Sequence, residues 1–379
     1  MLAAVQVVRN AVVVQLAERK PALATRVWPS HPESKLWTGL TQIGLAAGRR
    51  QPVDPGTLEL ISDGARKAPL RPEPFLVRGV QAQLAGDRRL AERAFVAAKL
   101  RDGRSIPARY FLAEHYFRSG NAPAGLREIA ILARMVPNGV TNLAPYVAAY
   151  AKDRRNRSQL KALFRSDLQL EEAALTTLAT EAGNSDLILE LARPASAPPQ
   201  WTARLLETLI NAGQYAKARQ IWVRIARVPA AAAARPIFDA GFADNRTPPP
   251  FNWTLTSSTV GLAERQTGGR LHVVYYGQED GTLASQMLVL DPGRYALSMR
   301  ISGDSNRARS LAWVLACAGS KTSLLSLRLD QKAAAARGAD FDVPAGCAAQ
   351  NLQLVGTAPE VPQEADVVIF NLALRRLAS

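Results

Sequence analysis

IFDAGFADNRTPPPFNW, residues 237–253, divides a chain of 379 residues into two parts that are written differently. Before it lie Ala-, Leu- and Arg-rich stretches whose apolar residues recur every three or four positions, the spacing of helices. After it lie short runs of Val, Tyr and Leu that alternate, the spacing of strands. The segment is either a disordered linker or the opening strand of a second domain. A chain of this length usually exceeds one compact core, so two domains are expected.

Charge follows the same division. From Ile237 onward there are 13 basic and 13 acidic residues, which leaves 34 basic and 19 acidic residues before it. The excess behind the net charge of +15 therefore belongs wholly to the helical part. Its densest cluster is AKDRRNRSQLKALFR, where Lys152, Arg154, Arg155, Arg157, Lys161 and Arg165 face a single acid, Asp153. A basic surface could attract nucleic acid or another acidic partner. A charge run is more often a solvated helix face, so nucleic acid is not the expected partner.

The first residues, MLAAVQVVRNAVVVQLAERK, are apolar but interrupted by Arg9. A spanning helix needs about 20 apolar residues, and a signal peptide carries its positive charge before its apolar run. Neither pattern is met. Residues 1–33 are expected to be an ordinary first helix or the remnant of a membrane anchor that begins before Met1, so membrane association would involve a segment preceding or including residues 1–17.

Between Ser34 and Val228 the helical segments break at Gly48, Gly86, Gly120, Arg155, Gly183 and Gly213, with spacings of 38, 34, 35, 28 and 30 residues. A period in the low thirties marks stacked helical hairpins. Small residues recur at set places in them. Around Gly86 stand Gly79, Ala91, Phe95 and Ala98; around Gly120, Leu112, Ala113, Tyr116, Ile129 and Pro137; around Gly213, Ala218 and Trp222. On these residues the segment resembles tetratricopeptide repeats. Gly125 stands where the pattern has Ala, and Pro52 and Pro55 break the repeat that Trp37 and Leu40 begin. The resemblance implies an α-solenoid over residues 34–235 that binds a protein partner in its concave face.

Past Phe251, runs of strand length occupy 270–277, 284–291, 294–302, 310–317, 350–356 and 365–377. They are separated by turn signals such as Pro292-Gly293. Some eight strands in about 140 residues argue for a two-sheet antiparallel sandwich. Asp239, Gly241, Phe242, Asp244, Phe251 and Trp253, with Gln286, Pro292, Gly293 and Tyr295 downstream, resemble carbohydrate-binding-module-like jelly-roll sandwiches; the usual acid after Gly-Phe is replaced by Ala243. The resemblance implies a jelly roll over 237–379 whose entry strand, not a linker, is the 237–253 segment, with polysaccharide as a further candidate ligand. Sugar recognition needs flat aromatic faces and hydroxyl-binding amides. The candidates are Trp253, Tyr275, Tyr276 and Gln278. Tyr275 and Tyr276 are neighbours on a strand, so only one can face outward. Trp313 shares an inward face with Leu311, Leu315 and Cys317.

Cys317 and Cys347 both fall in the sandwich. They are expected to pair as a disulfide, which requires an oxidising compartment; two buried thiols are the alternative. His31, His115 and His272 stand in no metal-ligand spacing, and no phosphate-cradling loop or nucleophile elbow is present. Glu171-Glu172 read as helix surface and Glu279-Asp280 as a turn. No catalytic residue, cofactor or metal is therefore expected. A tetratricopeptide-like array joined to such a sandwich resembles bacterial envelope proteins held at the inner membrane and facing the periplasm, several of which serve polysaccharide assembly or export. The alternative is a cytoplasmic adaptor that uses its basic array.

Overall fold

The computed structural model describes residues 2–49, 51–194, 198–303, 307–320 and 322–378. Helices occupy the chain up to Ala233, and two antiparallel sheets follow from Thr254, so the protein is a two-domain α plus β chain. By compactness the chain divides at a different place, into Met1–Ala174 and Leu175–Ser379, so the last helices belong with the sheets.

In the first unit the helices pair as hairpins, and the local sequence explains where each begins and ends. Helices Glu73–Leu84 and Arg88–Arg101 form one hairpin; Ile106–Arg118 and Ala122–Met135 form the next. The Asp87 carboxylate accepts from the Leu90 N–H at 2.9 Å and the Ser105 hydroxyl from the Ala108 N–H at 3.3 Å, satisfying N–H groups that a helix start leaves over. Each pair turns at a glycine in the left-handed region, Gly86 at φ 79° and Gly120 at φ 78°. The helices close tightly: a Cβ on Gly79 would stand 2.3 Å from the Phe95 ring, which is itself fully buried. This is the close approach expected of the small residues. Pro32–Gly48 packs likewise against Pro55–Lys67, in spite of Pro52 and Pro55, because Pro55 sits in the first helical turn, where no N–H is needed.

Glu128 is buried between the two cations Lys99 and Arg109, at 2.6 Å from each. Leu2–Ala17 is a single helix whose Val5, Val7, Val8 and Val14 remain exposed. No helix among the described residues is long and apolar enough to cross a membrane.

In the second unit the strands are β1 Thr254–Leu255, β2 Gly261–Gln266, β3 Arg270–Tyr275, β4 Gly281–Leu288, β5 Gly293–Gly303, β6 Leu311–Cys317, β7 Ser323–Arg328, β8 Ala339–Val343, β9 Gln350–Gly356 and β10 Ala365–Arg376. One sheet has the order β1-β4-β9-β6-β7 and the other β2-β3-β10-β5-β8. The order follows from one long antiparallel hairpin, in which β3 to β6 run out and β7 to β10 run back, pairing β3 with β10, β4 with β9, β5 with β8 and β6 with β7. Rolling it up adds the pairs β5–β10 and β6–β9. Alternation then places Leu271, Val273, Leu311, Trp313, Leu352, Leu354, Val367 and Ile369 in one shared core. Weaker alternation hid β2, β7 and β8 from the sequence reading: SLLSLR and ADFDV are short and half polar.

The expected opening strand is absent. Residues 237–253 are a series of turns, and pairing begins only at Thr254. Pro248, Pro249 and Pro250 supply no N–H for a ladder. Asp239 and Asp244 instead gather neighbouring backbone N–H groups: Asp239 accepts from Ala243 and Asp244, and Asp244 from Arg246 and Thr247. Nor is the segment a linker. Ile237, Phe238, Phe242, Phe251 and Trp253 are all buried. Trp222, from helix Tyr215–Ile225, stands edge-on to Phe238 at 5.0 Å, meets Phe251 at 5.6 Å and donates its indole N–H to the Pro248 carbonyl at 2.7 Å. The segment is thus a wedge that seats the final helices on the sandwich.

Candidate functional site

The four glycan candidates separate cleanly. Trp253 is 3% exposed: its indole N–H is held by the Asp239 carbonyl at 2.9 Å, and its ring lies between Phe242 and Trp313. Tyr275 is 0% exposed, with its hydroxyl donating to the Glu279 carbonyl at 3.0 Å. Neither ring reaches solvent, so the stacking role expected of Trp253 and Tyr275 falls away: both faces are consumed by the core. Tyr276, the neighbour that must point the other way, is 38% exposed, and Gln278 is exposed two residues on. They share the turn after β3, where Tyr276 N–H is fixed on the Val260 carbonyl at 3.1 Å. One ring and one amide remain of the expected platform.

Cys317, at the end of β6, and Cys347, before β9, form a disulfide with 5.4 Å between their Cα atoms. Cys317 lies opposite Gln350 in the β6–β9 ladder, so the bridge ties a turn to strands already paired. The basic cluster is strung along the surface. Arg154, Arg155 and Arg165 are exposed, and Arg155 closes on Asp153 at 2.8 Å, which draws the Asp153 carboxyl below its usual range. Lys152, Arg157 and Lys161 interact with other groups of the protein.

The histidines fill structural places. His115 is buried beside Tyr116, and His31 meets the Asn10 side chain at 2.9 Å. His272, on the outer side of β3, lies between Glu264 at 3.1 Å and Asp366 at 2.9 Å, and the hydrogen bond to Glu264, supported by Asp366, raises its pKa. No group of three metal-binding side chains occurs among the described residues.

A concavity lay outside the sequence reading. It is an open cleft of about 650 Å³ within the second unit, between helix Tyr215–Ile225, the turn at 233–236 and the β4–β5 turn. Arg219 crosses it, donating to the carbonyls of Ala233 at 2.8 Å, Arg235 at 3.1 Å and Val289 at 3.4 Å. Burial pulls its pKa below the ordinary arginine value. Arg376, at the end of β10, donates to the Pro292 carbonyl at 2.9 Å and stands 4.0 Å from the exposed Asp291 carboxylate. Arg235 is exposed on the rim. Three arginines and one acid, Asp291, thus line the cleft. They are far apart in the chain and stand in no motif, so no local signal could have joined them.

No family model matches the chain, and no curated protein matches it. Among solved structures it is similar to the accessory secretory protein 1, 2 and 3 structure from Streptococcus pneumoniae, at 9% identity and a TM-score of 0.24, covering 32% of this chain and 90% of that one. It is similar also to the human IFIT1 dimer with m7Gppp-AAAA, at 17% identity and a TM-score of 0.29, covering 55% of this chain and 46% of that one. At these scores neither is a likeness of overall fold.

Proposed function

We propose that this protein is a non-catalytic scaffold of the bacterial cell envelope, whose helical hairpins take a protein partner while its sandwich faces glycan during polysaccharide assembly or export. In this reading the hairpins are tetratricopeptide-like, and the sandwich, rolled from one long hairpin, is a jelly roll. The observation that carries the reading is the Cys317–Cys347 bridge, because a disulfide that is not catalytic persists in oxidising compartments such as the periplasm. The hairpins support it with large exposed side chains on the first unit, Tyr110 and Tyr146 among them, of the kind that anchor protein interfaces. The helix Leu2–Ala17, with its uncovered valines, would lie toward the inner membrane.

Trapping Cys317 and Cys347 with an alkylating reagent in intact host cells tests the compartment. Resistance to alkylation before reduction is expected. Free thiols would instead point to the cytoplasmic adaptor, whose binding through Arg154, Arg155 and Arg165 must collapse between about 50 and 200 mM salt. Capture of an envelope protein by the full chain tests the partner, and a chain that retains nothing from envelope extracts would sink the scaffold.

A further inference from the structure

We infer that the cleft crossed by Arg219 binds a carboxylate-bearing saccharide, a uronic acid unit of an acidic polysaccharide, beside the guanidinium groups of Arg219 and Arg376, with Arg235 on the rim. The inference rests on the glycan-facing half of the proposed function.

The charge balance calls for an anion. Arg219 is half buried, and its acceptors are the neutral carbonyls of Val289, Ala233 and Arg235. Carbonyls satisfy donors but do not cancel a charge, and a desolvated charge without a counter-charge is costly. Arg376 brings a second positive charge to the same cleft, Arg235 lines its rim, and Asp291, largely exposed and 4.0 Å from Arg376, is only loosely engaged. Anion entry would place opposite charge beside the Arg219 and Arg376 cations.

The lining selects among anions. A guanidinium can offer two parallel N–H donors that match the two oxygens of a carboxylate; Arg219 already spends three of its donors on carbonyls and supplies charge, so that pairing falls to Arg376. Asp291 and Gln220 on the walls suit hydroxyl groups, and the Asp291 charge opposes a ligand as densely anionic as nucleic acid. Ala216, Val223 and Pro236 supply the apolar surface against which the C–H face of a sugar can rest. A peptide would gain most by pairing with an open strand edge, and none is offered: β5 and β10 are each paired on both sides, and the Leu290 N–H is already taken by the Gln350 side chain. The volume lies within the range of about 300 to 1,000 Å³ typical of ligand sites.

The test is calorimetric titration of the full chain with oligogalacturonides, with their methyl esters, with inorganic phosphate and with polyglutamate. The free acid is expected to bind, the ester at least tenfold more weakly. Arg235→Ala and Arg376→Gln should each weaken free-acid binding about tenfold. These two carry the test because Arg219→Gln also strips three carbonyls of a donor and could unfold the turn. Equal binding of ester and acid, indifference to both substitutions, or tighter binding of phosphate or polyglutamate would each overturn the inference. Capture of a protein partner by a wild-type chain that shows no uronate response would remove the cleft ligand and leave the scaffold reading standing.

Discussion

Replacing Trp222 by Ala should break the protein at the segment that divides it. Trp222 is 1% exposed, so its removal leaves a void between Phe238 and Phe251 where two ring contacts, at 5.0 and 5.6 Å, now lie. Truncating a buried Trp costs about 3–5 kcal/mol in well-packed sites. The indole also donates at 2.7 Å to the Pro248 carbonyl, which the substitution leaves without that donor. These effects overlap, since the ring contacts are already counted in the truncation, so a loss of about 4 kcal/mol is expected. Trp222→Phe separates them: it keeps most of the aromatic contact and removes only the donor, for about 1–3 kcal/mol. Urea unfolding followed by near-ultraviolet circular dichroism measures both. Limited trypsin digestion locates the damage, because Arg246 is exposed yet held in a turn by the Asp244 carboxylate. Trp222→Ala should open cleavage after Arg246 while the sandwich core stays resistant. A loss below about 1 kcal/mol with unchanged digestion would refute the wedge, and the segment would then be a linker that merely lies alongside the helix.

Three further expectations follow from particular contacts. Reduction of the Cys317–Cys347 bridge, or Cys317→Ser with Cys347→Ser, should lower sandwich stability by about 3–4 kcal/mol on the loop-entropy model for a 30-residue separation; a midpoint unmoved by reductant contradicts it. Glu128→Gln should cost about 3 kcal/mol by leaving Lys99 and Arg109 without their shared carboxylate, while replacing all three by apolar residues should recover most of it, as thermal unfolding of the two variants would show. Glu264 and then Asp366 favour the protonated form of His272, so its folded pKa lies above its unfolded value near 6.5; the stability it contributes is complete below that value and is lost as pH rises through the folded pKa. The urea midpoint of the wild type should therefore fall between pH 6 and pH 9 by more than that of His272→Gln, and equal slopes would remove the argument.

Much of the architecture was open to reading from residue order. The positive-φ turns at Gly86, Gly120 and Gly213, the Gly79–Phe95 approach and the alternation through Leu311, Trp313 and Leu315 are local consequences of helix and strand periodicity. The adjacency of Tyr275 and Tyr276 likewise required that one face in and the other out, and Tyr275 is the one inside. The opening segment was misread because its aromatic residues suggested strand, while three prolines and two turn-forming aspartates prevented it from pairing.

By itself the sequence determined the order of helical and β parts, the confinement of both cysteines to the sandwich and the location of the charge excess, since each depends on composition or on spacing along the chain. Tertiary structure alone decided that Trp253 is core, that the last helices join the sandwich through Trp222, and that Arg219, Arg235 and Arg376 share one cleft. The physical reason is the same in each case. Burial and the meeting of like charges depend on which distant segments fold into contact, and rolling a long hairpin brings β10 back beside β5 and the β4–β5 turn, a proximity that no local periodicity encodes.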